Sequence, residues 1–226
     1  MDKLRIYNAR WSSPSAGPSP NENRRAEIFL AGCKKAATGN ACVGCFNVDL
    51  WKANVFNAEV SPEEAFQQIQ KFAPTKHVTF VGGEPLDQMV PLARLAELLK
   101  ADGFHNLLIT HHTMKRLKKW IEDYPGGESY RILLNNVDII IDGEYMAGER
   151  IWDESKAGDG VHDVIGSGNQ IVWSRLPEEE LKFQGVAARY LENLSLKENG
   201  QLFYGIKDSH CPKETISIGQ PKEYAA

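Results

Sequence analysis

The sequence predicts an α/β fold built on a mostly parallel sheet, and three observations carry that expectation. Short, nearly continuous apolar runs such as "HVTFVGG", "NLLITHH" and "VDIIIDG" read as strands buried on both faces. Longer segments with helical spacing alternate with them, which is the order of β/α units. The residues suited to chemistry, in the Cys33 loop, "GGEP", "THHT" and "DG", follow the apolar runs, where parallel α/β folds collect their functional loops.

Taken in order, "LRIYNAR" reads as a first strand and the Ser-, Pro- and Gly-rich stretch behind it as a loop, so that residues 1–25 form an N-terminal strand and loop. "EIFLAGC" is a strand that delivers Cys33 at its end. In "SPEEAFQQIQKF", Ser61 is placed to cap a helix, with Pro62 at its first position and acids in its first turn. "HVTFVGG" is the next strand, followed by the helix "PLARLAELLKADG", which stops at Gly103. The cycle repeats with the strand "NLLITHH", the helix "MKRLKKWIEDY" ended by Pro125 and two glycines, and the strand "VDIIIDG". Residues 145–169 turn Gly- and Asp-rich, a long connection of the kind that often carries function, before the strand "QIVWS". From about residue 175 to 226 a C-terminal extension follows, in which "PEEELKFQGVAARYLENL" reads as a helix and "QLFYGIK" as a late strand.

A chain of 226 residues, 42% hydrophobic and 25% charged, is the size of one domain with its own core. Its net charge of -4 and pI near 5.9 argue against broad capture of nucleic-acid backbones. The basic run Lys115 to Lys119 reads as the solvated face of a helix. No apolar run is long enough to cross a membrane, and the N-terminus lacks the charged start and apolar block of a secretory signal. A cytoplasmic chain with reduced thiols is expected, so clustered cysteines point to metal or redox chemistry rather than to disulfides.

Three of the four cysteines lie in "GCKKAATGNACVGCFN": Cys33, eight residues, Cys42, two residues, Cys45. This spacing suits a structural zinc completed by Cys211 or a histidine. It equally suits an iron–sulfur cluster that leaves one iron open. A redox pair of Cys42 and Cys45 is the third option, though it gives Cys33 no role. Downstream, the glycines of "FVGGEP" permit close backbone approach to a ligand, and its carboxylate and carbonyls are acceptors for an ammonium group.

Together, "CVGCFNVDLW", "TFVGGEPL", "THHT", "VDIIIDGEY" and "GSGNQ" resemble the radical S-adenosylmethionine (SAM) superfamily, and most of all the activating proteins of anaerobic ribonucleotide reductase. The resemblance implies a partial (β/α)6-type barrel in which Cys33, Cys42 and Cys45 hold a [4Fe-4S] cluster whose open iron binds SAM. It places Gly82, Gly83, Glu84 and Pro85 at the methionine end, with Glu84 or nearby carbonyls receiving the ammonium, and sets Thr110 and Asp142 facing the same pocket. Asp138 alternates in step with Asp142 and reads as a strand cap. The implied partners are a glycyl radical protein and a one-electron donor such as a flavodoxin.

The chain departs from that pattern at three places. The interval between Cys33 and Cys42 is eight residues instead of a triplet. His111 and His112 stand where the family more often has glycine and an aromatic residue. Ile165 and Ile171 flank "GSGNQ" where arginines are usual, which removes support for roles of Ser167, Asn169 and Gln170. Competing readings are a radical SAM enzyme acting on a small molecule, such as a 7-deazapurine synthase, and a zinc-stabilised binding module.

Overall fold

The computed structural model describes residues 2–13, 17, 24–123, 127–150, 165–175, 188–191, 193–196 and 202–204. The apolar runs form β1 (Leu4–Ser13), β2 (Arg25–Leu30), β3 (Ala58–Val60), β4 (His77–Gly82), β5 (His105–Thr110), β6 (Ile139–Asp142), β7 (Ile171–Ser174) and β8 (Ala188–Tyr190). They make one eight-stranded mixed sheet in the order β3-β1-β2-β4-β5-β6-β7-β8. Its centre, β2-β4-β5-β6, is parallel throughout, with Ile28 beside Phe80, Phe80 beside Leu108 and Leu108 beside Ile140. All four side chains are buried, as an uninterrupted apolar stripe across a parallel sheet requires. Residues of the other parity, Leu107, Ile139 and Ile141, build a second and smaller cluster with Ile165 and Val172 on the opposite face.

The main cluster is closed by α2 (Pro62–Phe72), α3 (Met89–Ala101), α4 (Met114–Asp123) and α5 (Gly127–Asn135), while α1 (Lys34–Ala37) is a single turn in the cysteine loop. Helix α2 starts where its sequence predicts. The Ser61 side chain accepts from the Glu64 backbone N–H, and the Glu64 carboxylate accepts in return from Ser61 N–H at 2.8 Å. Replacing Ser61 by alanine removes half of this capping box and is expected to cost about 1 kcal/mol, read as a lower thermal midpoint. In α4, Met114, Leu117 and Ile121 are buried while Lys115, Arg116 and Lys119 are exposed, so the basic run is a solvated face.

Four features differ from the sequence reading. Strand β7 runs antiparallel to β6, and β1 runs antiparallel to β2 and β3, so both flanks of the parallel centre are reversed. A second helix, α5, follows α4 instead of a direct return to the sheet. It is possible because residue 127 is glycine: a Cβ there would lie 2.4 Å from the Ile121 carbonyl oxygen. The segment read as a helix from 177 to 194 instead contributes β8, parallel to β7, and β9 (Leu194–Leu196). Tertiary hydrogen bonds override local propensity there, since Asn135 both donates to the Leu194 carbonyl and accepts from its N–H. The late strand is present as β10 (Leu202–Tyr204), paired antiparallel with β9.

In the long connection, the described part holds a 3₁₀ turn (Ala147–Glu149) and a bridge from Arg150 to Ser167. Pro125, residues 151–164 and Cys211 lie outside the described residues. Among the described residues no helix is long and apolar enough to cross a membrane.

Candidate functional site

The C-terminal ends of β2 and β4 are stitched together by backbone hydrogen bonds. Gly83 N–H donates to Leu30 O at 2.9 Å and Glu84 N–H to Gly32 O at 2.8 Å, while Cys33 N–H reaches Trp51 O at 3.0 Å. The glycines serve this approach. A Cβ on Gly83 would lie 2.1 Å from Gly32 O, and Gly82, at φ 129°, would carry one 2.3 Å from Leu30 O. Their lack of side chains therefore brings two strand ends together, beyond any approach to a ligand.

Beside this seam lies a cavity of about 370 Å³ onto which Cys33, Cys42 and Cys45 converge with Gly82, Gly83, Glu84 and Thr110. Burial pushes the Cys33 and Cys42 thiols above their usual range, so without a metal both stay protonated. Trp51 Nε1 donates to Cys45 Sγ at 3.4 Å, and Asn47 Nδ2 donates to Gly82 O at 2.8 Å. These two supporting residues sit inside "CVGCFNVDLW", where sequence alone supplied the motif but not their roles. Cys33 also borders a second cavity of about 760 Å³, lined by Arg5, Tyr7, Trp51 and Lys52.

The eight-residue interval is a fastened structure. Lys34 N–H donates to Asp87 Oδ2 at 2.5 Å, and Lys35 Nζ pairs with Glu144 at 2.6 Å and holds the Asn40 carbonyl. The Lys35 to Glu144 contact ties the cysteine loop to the loop after β6.

Glu84 is 1% exposed and its two oxygens are crowded with donors. Oε1 accepts from Leu86 N–H at 2.9 Å and Thr110 Oγ1 at 2.8 Å; Oε2 accepts from His111 N–H at 3.0 Å and meets His111 Nδ1 at 2.6 Å. Burial alone would raise this carboxyl, but the His111 hydrogen bond and charge win and hold it below the usual carboxylate range.

Two nominated residues do not reach the cavity. Pro85 is buried at the start of the 3₁₀ turn Pro85–Gln88. Asp142 turns away from the pocket it was expected to face: its carboxylate accepts from Met114 N–H at 2.5 Å and so anchors the first turn of α4. Asp138 pairs with Lys100 and accepts from Asn106 N–H at 2.9 Å, so it joins β6 to α3 and β5. "GSGNQ" proves to be a clasp on the β6 loop. Gln170 donates to Gly143 O at 3.0 Å, Asn169 to Glu144 O at 2.7 Å, and Ser167 Oγ accepts from Met146 N–H at 3.1 Å.

Burial pushes His112 down to about 4 and also depresses His105, which lies against Arg25. Both are therefore neutral in the folded chain. An unfolded chain protonates these imidazoles first, from the ordinary value of 6.5 downward, so stability falls as pH drops through the window from 6.5 to about 4. Glu84 acts in the same direction at lower pH, its contribution vanishing as pH falls through its depressed folded value. The thermal midpoint of the metal-free chain is expected to fall between about pH 7 and about pH 5, with a shallower fall in His112→Asn.

The residues present fit an iron–sulfur cluster: three soft thiol donors line one cavity, and one of them already receives an N–H···S bond. Pyruvate formate-lyase-activating enzymes are similar in sequence to part of the chain. That of Staphylococcus epidermidis (strain ATCC 12228 / FDA PCI 1200) is 35% identical over 104 residues, and that of Staphylococcus aureus (strain USA300) 34% over 104. Each match covers 44% of this chain and only 39% of the relative. The family described as "4Fe-4S single cluster domain" matches residues 22–172, from just before β2 into β7. With three thiols gathered on one cavity inside that match, the chain belongs to the 4Fe-4S single cluster domain family.

Proposed function

We propose that this chain is a radical SAM enzyme that installs a glycyl radical on a partner protein. The observation that carries the reading is the convergence of the three cysteines with Gly82, Gly83 and Glu84 on one cavity, at the strand ends where the sequence motifs lie. Similarity to pyruvate formate-lyase-activating enzymes supports the same class. Bound there, a [4Fe-4S] cluster and SAM supply one-electron cleavage of the sulfonium to methionine and a 5'-deoxyadenosyl radical, which takes a hydrogen atom from a glycine Cα.

The chain's own residues have separable tasks in this reading. Cys33, Cys42 and Cys45 hold three irons, and Trp51 steadies the Cys45 sulfur. The acceptor positions of Glu84 are filled by four donors, so the SAM ammonium falls to backbone carbonyls at the end of β4, and Glu84 fixes the loop that presents them. The same proposal includes a sheet curved as a partial (β/α)6-type barrel, a reducing cytoplasmic setting and a flavodoxin-like donor.

For the partner, the motif resemblance favours an anaerobic ribonucleotide reductase, while the names of the relatives favour pyruvate formate-lyase. The test is anaerobic reconstitution followed by electron paramagnetic resonance of the reduced protein with and without SAM, then assay of 5'-deoxyadenosine. A cluster signal that changes on adding SAM, with a glycyl radical formed on one of the two candidates, is expected. A protein that builds a cluster yet neither responds to SAM nor releases 5'-deoxyadenosine overturns the reading.

A further inference from the structure

The two histidines that depart from the family pattern meet Glu84 in one buried group. A carboxylate oxygen of Glu84 and one ring nitrogen from each of His111 and His112 all lie within 4.8 Å of one another. The His111 and His112 rings are 3.9 Å apart, centroid to centroid. His112 is 8% exposed, and its Nδ1 is buried without a hydrogen-bond partner. A buried polar atom left unpaired costs on the order of 1–3 kcal/mol, so a built site with an orphaned nitrogen calls for something to fill it. Two imidazoles and one carboxylate are the donor set that zinc takes when it keeps a position open.

We propose that Glu84, His111 and His112 bind a divalent zinc ion in the wall of the thiol cavity, with a ligand set that uses none of the cysteines. The lone pairs suffice for three ligand bonds. Three of the four acceptor positions on Glu84 stay with Leu86, Thr110 and the His111 backbone, and the ion replaces the proton that now bridges Oε2 and His111 Nδ1. A neutral His111 that ligates through Nδ1 carries its proton on Nε2 instead, and because the ligand atoms must be unprotonated, binding weakens as pH falls. At zinc bond lengths of about 2.0–2.1 Å two ligands stand roughly 3.3 Å apart, so the 2.6 Å Glu84–His111 pair must part by some tenths of an ångström. His111 and His112 border a cavity of about 430 Å³ lined also by Lys34, Arg116, Trp120 and Tyr130, while Glu84 and His111 border the thiol cavity. The ion ties the loop after β4 to the end of β5, and so fixes one wall of the thiol cavity.

The experiment uses the full chain in two forms, with its cluster reconstituted and with all four cysteines, Cys33, Cys42, Cys45 and Cys211, replaced by alanine to exclude thiolate zinc. After equilibration with zinc and removal of the excess, both are expected to retain about one zinc per chain, which His111→Ala and His112→Ala lose while iron loading of the reconstituted form persists. Cobalt in the cysteine-free chain is expected to give the visible bands of a nitrogen- and oxygen-ligated ion without thiolate charge transfer. No tight zinc in the cysteine-free chain, absent cobalt bands with both histidines intact, or undiminished zinc in a folded His112→Ala variant each overturns the site. The cobalt measurement needs no histidine variant to fold. Zinc content is read without SAM, so this result and the SAM result stand or fall separately.

Discussion

Replacing Cys33, Cys42 or Cys45 singly with alanine is expected to remove cluster absorbance and lower 5'-deoxyadenosine formation by roughly three orders of magnitude or more, because the group that does the chemistry is lost. Iron and sulfide per chain, measured after anaerobic reconstitution, check the first half of that statement, and a product assay checks the second. Under the reading of three ligating thiols and one open iron, Cys211→Ala is expected to keep its iron. Equal iron loss in Cys211→Ala would point to a fourth protein thiolate and a closed site. The variants also separate metal loss from unfolding. Each thiol is only partly buried, so a cysteine-free chain is expected to keep its far-ultraviolet circular dichroism.

Gly83→Ala carries the second large effect. The added methyl would meet Gly32 O at 2.1 Å and Leu50 O at 2.7 Å, and both are backbone atoms that no side-chain rotation relieves. A loss of about 3 kcal/mol or more in stability is expected, together with poor iron loading, because the seam that separates must take Cys33 with it. Gly39→Ala is the matched control. It has a positive φ of 80° but nothing within 4 Å of its added Cβ, so only the strain of about 1 kcal/mol remains. Thermal midpoints and iron per chain for the two variants distinguish a crowded seam from ordinary glycine flexibility.

How much was readable in advance depended on whether the information was local. The parallel centre was legible because buried strands such as "VDIII" carry their own signature, and α2 was legible from Ser61, Pro62 and Glu64 alone. Strand direction at the flanks was not, since nothing in "QIVWS" records which way it runs beside β6. Strand β8 was read as helix because its pairing with β7 is a contact between separate segments that no local pattern in 177–194 records. Within the site, the clustered cysteines and the "GGEP" loop stood out by type and spacing, and the family resemblance added Thr110. The supports were not: Trp51 and Asn47 act across loops, and a sequence does not say that Asp142 turns toward α4. The His111–His112 pair was visible only as a departure from a pattern, and its meeting with Glu84 needed three dimensions.

Cys33 borders two cavities, the smaller shared with Glu84 and the larger bordered by Arg5, Tyr7 and Lys52. Under the proposed function, SAM in the smaller cavity and an electron approaching Cys33 by way of the larger one impose no queue on each other. Rapid mixing of donor with SAM-loaded and SAM-free protein is then expected to show reduction in both cases.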